Sequence, residues 1–240
     1  MNNRWNFYKK NFLEKINKDS NFLLISASEK EIKILQDLGY SKFSISYHND
    51  EEKENHEKNG FELNKNLFKT DIRNMEFESG SFEYTIAHAT IHHVDLPHKA
   101  VAEMYRVSNK GLLIIESNDS LIMQIACKLN LTEEFEVDSV DKENSTGGLL
   151  DTGIPNYVYR WTEREILKLL KSYDPSNINF VEFDYENDLT NIRPKKNFIL
   201  NIILEVIKIF AKIYFFIFKK QQNCLSIFID KTKSKKRWVE

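Results

Sequence analysis

Cysteine is almost missing from this sequence: 240 residues hold two, Cys127 and Cys224. Two thiols cannot build the disulfide framework of small secreted domains, and they are compatible with a reducing compartment. An excess of one charge is missing too. Against 36 acidic residues stand 34 basic ones, a formal net charge of −2. Domains that grip nucleic acid through its phosphates usually carry a basic surplus, so nucleic acid is not an expected partner. The first residues, MNNRWNFYKKNF, contain no apolar segment followed by small residues. No signal peptide is read there, and a cytoplasmic location is expected. Internal repeats and low-complexity linkers are also lacking.

What remains is an ordinary globular composition, 41% hydrophobic and 29% charged. Its length suits one domain over 1–240, with an N-terminal helix in 1–20, a first half over 21–130 and a second half over 131–240. NFLLIS, KFSIS, NLFKTD, FEYTIAHA and GLLIIES read as successive strands, and INFVEFDY and CLSIFID as two more. Between them lie helical segments. Ser28 and Glu31 stand in capping-box relation before a stripe of Ile32, Leu35 and Leu38. Pro97 opens a helix whose Ala100, Val101, Met104 and Val107 share a face. Asp119 to Leu129 and TEREILKLLKS are also helical. Strands alternating with helices give an α/β fold with a mostly parallel, seven-stranded sheet.

In such a sheet ligands bind beyond the carboxyl ends of the strands, where strand order reverses. Asp71 ends the third strand and His88 the fourth. Asn49 and Asp50 lie just past the second, and Ser26, Ala27 and Ser28 just past the first. A carboxylate there can accept hydrogen bonds from a base amine or ribose hydroxyls.

The run from Asp71-Ile72 through Gly80-Ser81-Phe82-Glu83 and Ile91-His92-His93, then the helix from Pro97 to Val107 and Lys110-Gly111-Leu112, resembles the class I S-adenosylmethionine-dependent methyltransferases of the type 11 kind. That resemblance implies a Rossmann-like three-layer sandwich and S-adenosyl-L-methionine as cofactor. It places Asp71 and Ile72 beside the adenine, Asn49 or Asp50 at the ribose, His88 near the cofactor, and Ser26 to Ser28 in the loop the methionine end passes. The family has glycines in that loop, whose freedom allows close backbone approach; here it reads LLISASEKE. Two functions follow: methylation of a small-molecule or glycan-linked acceptor, or a methyltransferase-fold protein without catalysis that serves as a binding or assembly partner.

His88, His92, His93 and His98 cluster, but no cysteine or carboxylate stands at a companion spacing in the chain, so no metal is expected. One of His92 and His93 is expected to pack in the turn while the other faces the pocket, where a neutral imidazole can act as general base. Packing alone explains the pair equally well. The loop from Ser145 to Glu165 suits an acceptor wall, with Tyr157, Tyr159, Arg160 and Trp161 as acceptor contacts; buried aromatic anchors are the alternative. From Asn197 to Phe218 runs an apolar helix inserted before the last strand. Glu205, Lys208 and Lys212 argue against a membrane span. The helix is expected to pack over the sheet, to meet a second copy of the chain, or to lie on a membrane surface.

Overall fold

The computed structural model describes residues 3–141, 146–175, 180–188 and 198–233. Ser145, the first residue of the expected acceptor loop, lies outside them. So do Ile178 and Asn179, Asn197, and residues 234–240, in which most of the basic stretch DKTKSKKRW falls.

The elements are α1 (Asn3–Lys15), β1 (Phe22–Ile25), α2 (Glu29–Asp37), β2 (Phe43–Tyr47), α3 (Asp50–Lys58), β3 (Leu67–Lys69) and β4 (Phe82–His88). A single 3-10 turn, Ile91–His93, leads into α4 (Pro97–Val107), β5 (Ser108–Ser117) and α5 (Leu121–Lys128). Four two-residue strands follow: β6 (Phe135–Glu136), β7 (Val140–Asp141), β8 (Thr146–Gly147) and β9 (Asn156–Tyr157). The chain then forms α6 (Glu163–Tyr173), β10 (Val181–Glu186), α7 (Phe198–Ile217) and β11 (Cys224–Asp230).

Seven strands form one sheet in the order β10-β11-β5-β4-β1-β2-β3. β1 pairs in parallel with both β2 and β4, and only β11 runs antiparallel to its neighbours. Strand order therefore reverses between β1 and β4. Alternate residues of β1 feed different cores, as a pleated strand buried on both faces requires. Phe22 and Leu24 join Phe7, Tyr8 and Phe12 of α1 and Ile32 and Leu35 of α2. Leu23 and Ile25 join Ala100 and Met104 of α4 and Ile166 and Leu170 of α6. The result is a three-layer, Rossmann-like sandwich.

Helix α3 is absent from the sequence reading because DEEKENHEK has no apolar stripe; His56 is its one buried residue. It starts at Asn49, whose side chain accepts from the Glu52 amide. Helix α7 departs from packing over the sheet. Of its described side chains Phe215 is buried, whereas Phe216 is 80% and Phe210 67% exposed. No helix among the described residues is long and apolar enough to cross a membrane.

Candidate active site

A cleft of about 590 Å³ opens at the carboxyl ends of β1, β2, β3 and β4. At its first wall, Ser26 takes φ of +42°, a region where a side chain is normally disfavoured and glycine is free. Serine thus holds a left-handed turn at a place where the resemblance calls for glycine. Its amide donates to the Ser46 carbonyl at 3.1 Å. Ser28, also on the wall, caps α2 through a complete capping box with Glu31. Ala27 corrects an expectation: it is buried in the apolar cluster with α1 and does not line the cleft.

The second wall carries His48, Asn49 and Glu52. Asp50 is exposed on the first turn of α3 and does not line the cleft. Glu52 faces it instead, accepting from the His48 amide at 2.9 Å, and burial pushes its carboxyl up from the usual range. Asp71 and Ile72 form the third wall. The Arg73 guanidinium, donating to both Asp71 oxygens at 2.7 to 3.1 Å, holds that carboxyl below its ordinary value. His88, at the end of β4, is buried between two partners of opposite sign. Glu31 Oε1 lies 3.0 Å from its Nδ1, and Arg4 Nε donates to its Nε2 at 2.9 Å. Arg4, from α1, also lines the cleft.

The two neighbouring histidines have different surroundings. His92 is buried, with Nδ1 3.0 Å from Glu116 and Nε2 3.3 Å from Glu136. Burial alone would lower its pKa, but the two carboxylates outweigh that and push it up to about 10. Glu136 is drawn down to about 2, first by its bond to His92. His92 is therefore a cation at neutral pH and does not line the cleft, which removes it as a general base. His93 does line the cleft. Burial and then the His92 charge lower its pKa, so its ring is neutral and keeps a lone pair. The Asn156 amide stands 2.6 Å from its Nδ1.

A second cavity of about 370 Å³ adjoins the first, sharing Arg4 and Asp188. Arg160 lines it, as do Glu133 and Glu136, and the Arg160 Nε is buried without a hydrogen-bond partner among the described residues. The other three expected acceptor contacts line neither cavity. Trp161 is fully buried beside His98, Tyr159 packs on Trp161 and donates to Glu165 at 2.7 Å, and Tyr157 is exposed against Phe135. Their apolar faces serve packing.

Residues 28–115 match the model of a methyltransferase domain family. The match starts at Ser28, the last residue of the loop after β1, and runs to Ile115 in β5. Over that span the chain resembles a methyltransferase domain. Solved methyltransferases share the fold. One, in a complex between the Haloferax volcanii Trm112 methyltransferase activator and a methyltransferase, aligns with a TM-score of 0.56 at 11% identity, covering 95% of this chain and 90% of that one. A methyltransferase from Archaeoglobus fulgidus gives 0.53 at 14% identity over 95% and 94%. Another from Bacillus halodurans gives 0.51 at 14% over 93% and 98%. No curated protein matches the chain in sequence.

The cleft fits S-adenosyl-L-methionine on its own evidence. It has carboxylates at two of three strand ends for ribose and base, an apolar Ile72 between cleft and core, and both a cation and an anion, Arg4 and Glu31, where an amino-acid end needs one of each. Glu52, Glu31 and Arg4 escaped the sequence reading. Glu52 and Arg4 sit on helices with no local motif, and Glu31 was read only as a cap.

Proposed function

We propose that the protein transfers a methyl group from S-adenosyl-L-methionine to a polar small molecule or glycan-linked acceptor. The observation that carries this reading is the pair of adjacent cavities: a cleft bounded by Glu52, Asp71 and His88, and beside it a charged second cavity that shares Arg4 and Asp188 with it. When bound, the cofactor supplies an already activated methyl group, so the chain's task is alignment. In this reading Asp71 takes the base, Glu52 with Asn49 takes the ribose, and Arg4 with Glu31 holds the amino-acid end. His93 stands against the acceptor's reacting atom with its lone pair, and Arg160 with Glu133 faces the acceptor's body. His92 positions His93 and Glu136 rather than touching the acceptor.

The rival, a binding protein without catalysis, draws on the Ser26 side chain and the Glu31 carboxylate crowding the loop where the family has glycine. Calorimetry with S-adenosylhomocysteine separates the two. Binding that survives His93→Ala, together with loss of transfer in that variant, supports the enzyme. A folded protein that ignores S-adenosylhomocysteine overturns it.

The reading extends to a peripheral membrane contact through α7. Its exposed apolar residues, Ile209, Phe210, Ile213, Phe216 and Ile217, are accompanied by Lys212 and Lys219, and by Lys208 and Lys220, which pair with Glu205 and Glu163. An apolar face edged by lysines complements an anionic lipid surface. Flotation with anionic vesicles tests it; a dimer in light scattering without flotation would assign the face to a second copy instead.

A further inference from the structure

We infer that His92, His93 and Glu136 bind a divalent transition-metal ion where the two cavities meet, with Glu116 and Asn156 fixing the imidazoles from behind. What the ion would do rests on the methyl-transfer reading of the cleft; whether it binds does not.

The carboxylate next to the histidines in sequence, Asp95, is taken by Arg73 at 2.6 Å, and folding supplies another. Strand β6 pairs with β9 so that Glu136 stands opposite Asn156, and both hang over the Ile91–His93 turn. Glu136 Oε1 lies 3.3 Å from His92 Nε2, and Oε2 lies 3.7 Å from His93 Nε2. One donor atom from each of the three residues falls within 4.8 Å of the others. A tetrahedral ion with bonds of about 2.0–2.1 Å keeps its donors roughly 3.3–3.4 Å apart. The carboxylate is already near that spacing from both rings, and a small rotation of the half-exposed His93 ring supplies the rest.

The surroundings are those of ligating rather than merely packed histidines. A metal-bound imidazole almost always donates its other N–H to a carboxylate or carbonyl, which fixes the ring and its tautomer. His92 Nδ1 meets the fully buried Glu116 at 3.0 Å. That carboxylate is itself held by the amides of Thr90 at 2.8 Å and Ile91 at 2.9 Å. His93 Nδ1 meets the Asn156 amide, whose buried Oδ1 has no partner in its present orientation. Amide oxygen and nitrogen exchange by a half turn, and the oxygen then accepts from Nδ1–H. Binding the ion displaces the proton that His92 shares with Glu136, so that both rings present Nε2 to the ion. Two carboxylates against two imidazoles also match the charge of a dication. Two imidazole nitrogens and one carboxylate favour zinc or a neighbouring first-row ion over magnesium or calcium. A remaining coordination position opens between the cleft, which His93 lines, and the second cavity, which Glu136 lines. With the His93 lone pair spent on the ion, the ion itself rather than the free imidazole would meet an oxygen or nitrogen of the acceptor there.

The test uses the full chain, stripped with a chelator and titrated with Zn²⁺ by calorimetry and with Co²⁺ by visible absorption. Expected are one ion per chain and the d–d bands of four- or five-coordinate cobalt without thiolate charge transfer. Glu136→Gln and His93→Asn should each lose about tenfold or more in affinity, and Asn156→Ala about 10–100-fold. Cys127→Ser should bind as the parent does. A parent protein folded by circular dichroism that retains neither ion overturns the site. So does undiminished binding by folded Glu136→Gln and His93→Asn. S-adenosylhomocysteine titrated into the same samples reports on the cleft alone, so loss of the metal site and loss of the methyl-transfer reading are told apart.

Discussion

The edge of strand ends that lines the cleft and the cap of short strands beside it are held by different means. The edge consists of strand ends in a parallel ladder, where β1 is locked to β2 and β4 over its four residues. The cap consists of two-residue strands, and polar side chains fix it to the body: Glu116 to the turn at residues 90–92, and Glu136 to His92. A ladder shares its load among many bonds. A cap hung on a few buried charges concentrates it. The edge should therefore tolerate loss of a side chain with a local, functional effect, while the cap should not.

The largest effect is expected where that contrast is sharpest. Glu116→Ala leaves the His92 cation and two backbone amides facing an empty, buried site. Breaking a buried charged pair costs roughly 3–5 kcal/mol, so urea denaturation should show stability lowered by that order. A loss under about 1 kcal/mol, a typical single hydrogen bond, would mean the cap does not hang on Glu116.

Ala27→Leu comes next and probes the edge. Ala27 is buried with Phe7 and Tyr8 rather than facing the cleft, so added methyl groups overpack the layer beneath α1. Overpacking typically costs about 1–3 kcal/mol, read as a lower unfolding midpoint. Unchanged stability with S-adenosylhomocysteine binding abolished would instead turn that side chain towards the cleft.

Asp71→Ala should act on binding alone. Its carboxylate is half-exposed and tied to Arg73, so the fold loses little. A hydrogen bond to a charged group is worth about 1.5–3 kcal/mol, which predicts roughly tenfold or greater weakening of S-adenosylhomocysteine binding by calorimetry. A folded variant with parental affinity removes Asp71 from the site.

The same contrast explains what could be read from the chain. Strands such as GLLIIES and CLSIFID announce themselves because both faces are buried and the apolar run is nearly unbroken. The position of His88 follows from FEYTIAHA, the strand it ends, whereas Asp71 lies past the short and half-exposed β3 and is placed by the resemblance. Helix α3 has no apolar period to see, and Glu52 was hidden with it. Glu136 and Asn156 are 20 residues apart and meet through one two-residue ladder, for which no sequence period exists. Trp161 and Tyr159 look like ligand-binding aromatics in sequence because their composition is the same whether they face an acceptor or the layer under α6.

The smallest effect on stability, and the most specific on binding, is expected at α7. Both the edge and the cap are packed against the body, whereas α7 presents Phe210, Ile213 and Phe216 outward. Apolar patches of this kind on soluble proteins mark interaction surfaces. Replacing those three with Ser removes no buried contact, and surface changes usually stay within about 0.5 kcal/mol each, so the thermal midpoint should move little. Vesicle flotation should respond strongly: the parent floats with anionic vesicles, less so as salt screens its lysines, and the triple variant stays at the bottom. If the variant unfolds, the helix belongs to a core, and truncation of large buried groups at roughly 2–5 kcal/mol apiece accounts for it. A parent that remains monomeric in light scattering and ignores both anionic and neutral vesicles would leave α7 no surface to meet, and the membrane contact would fall.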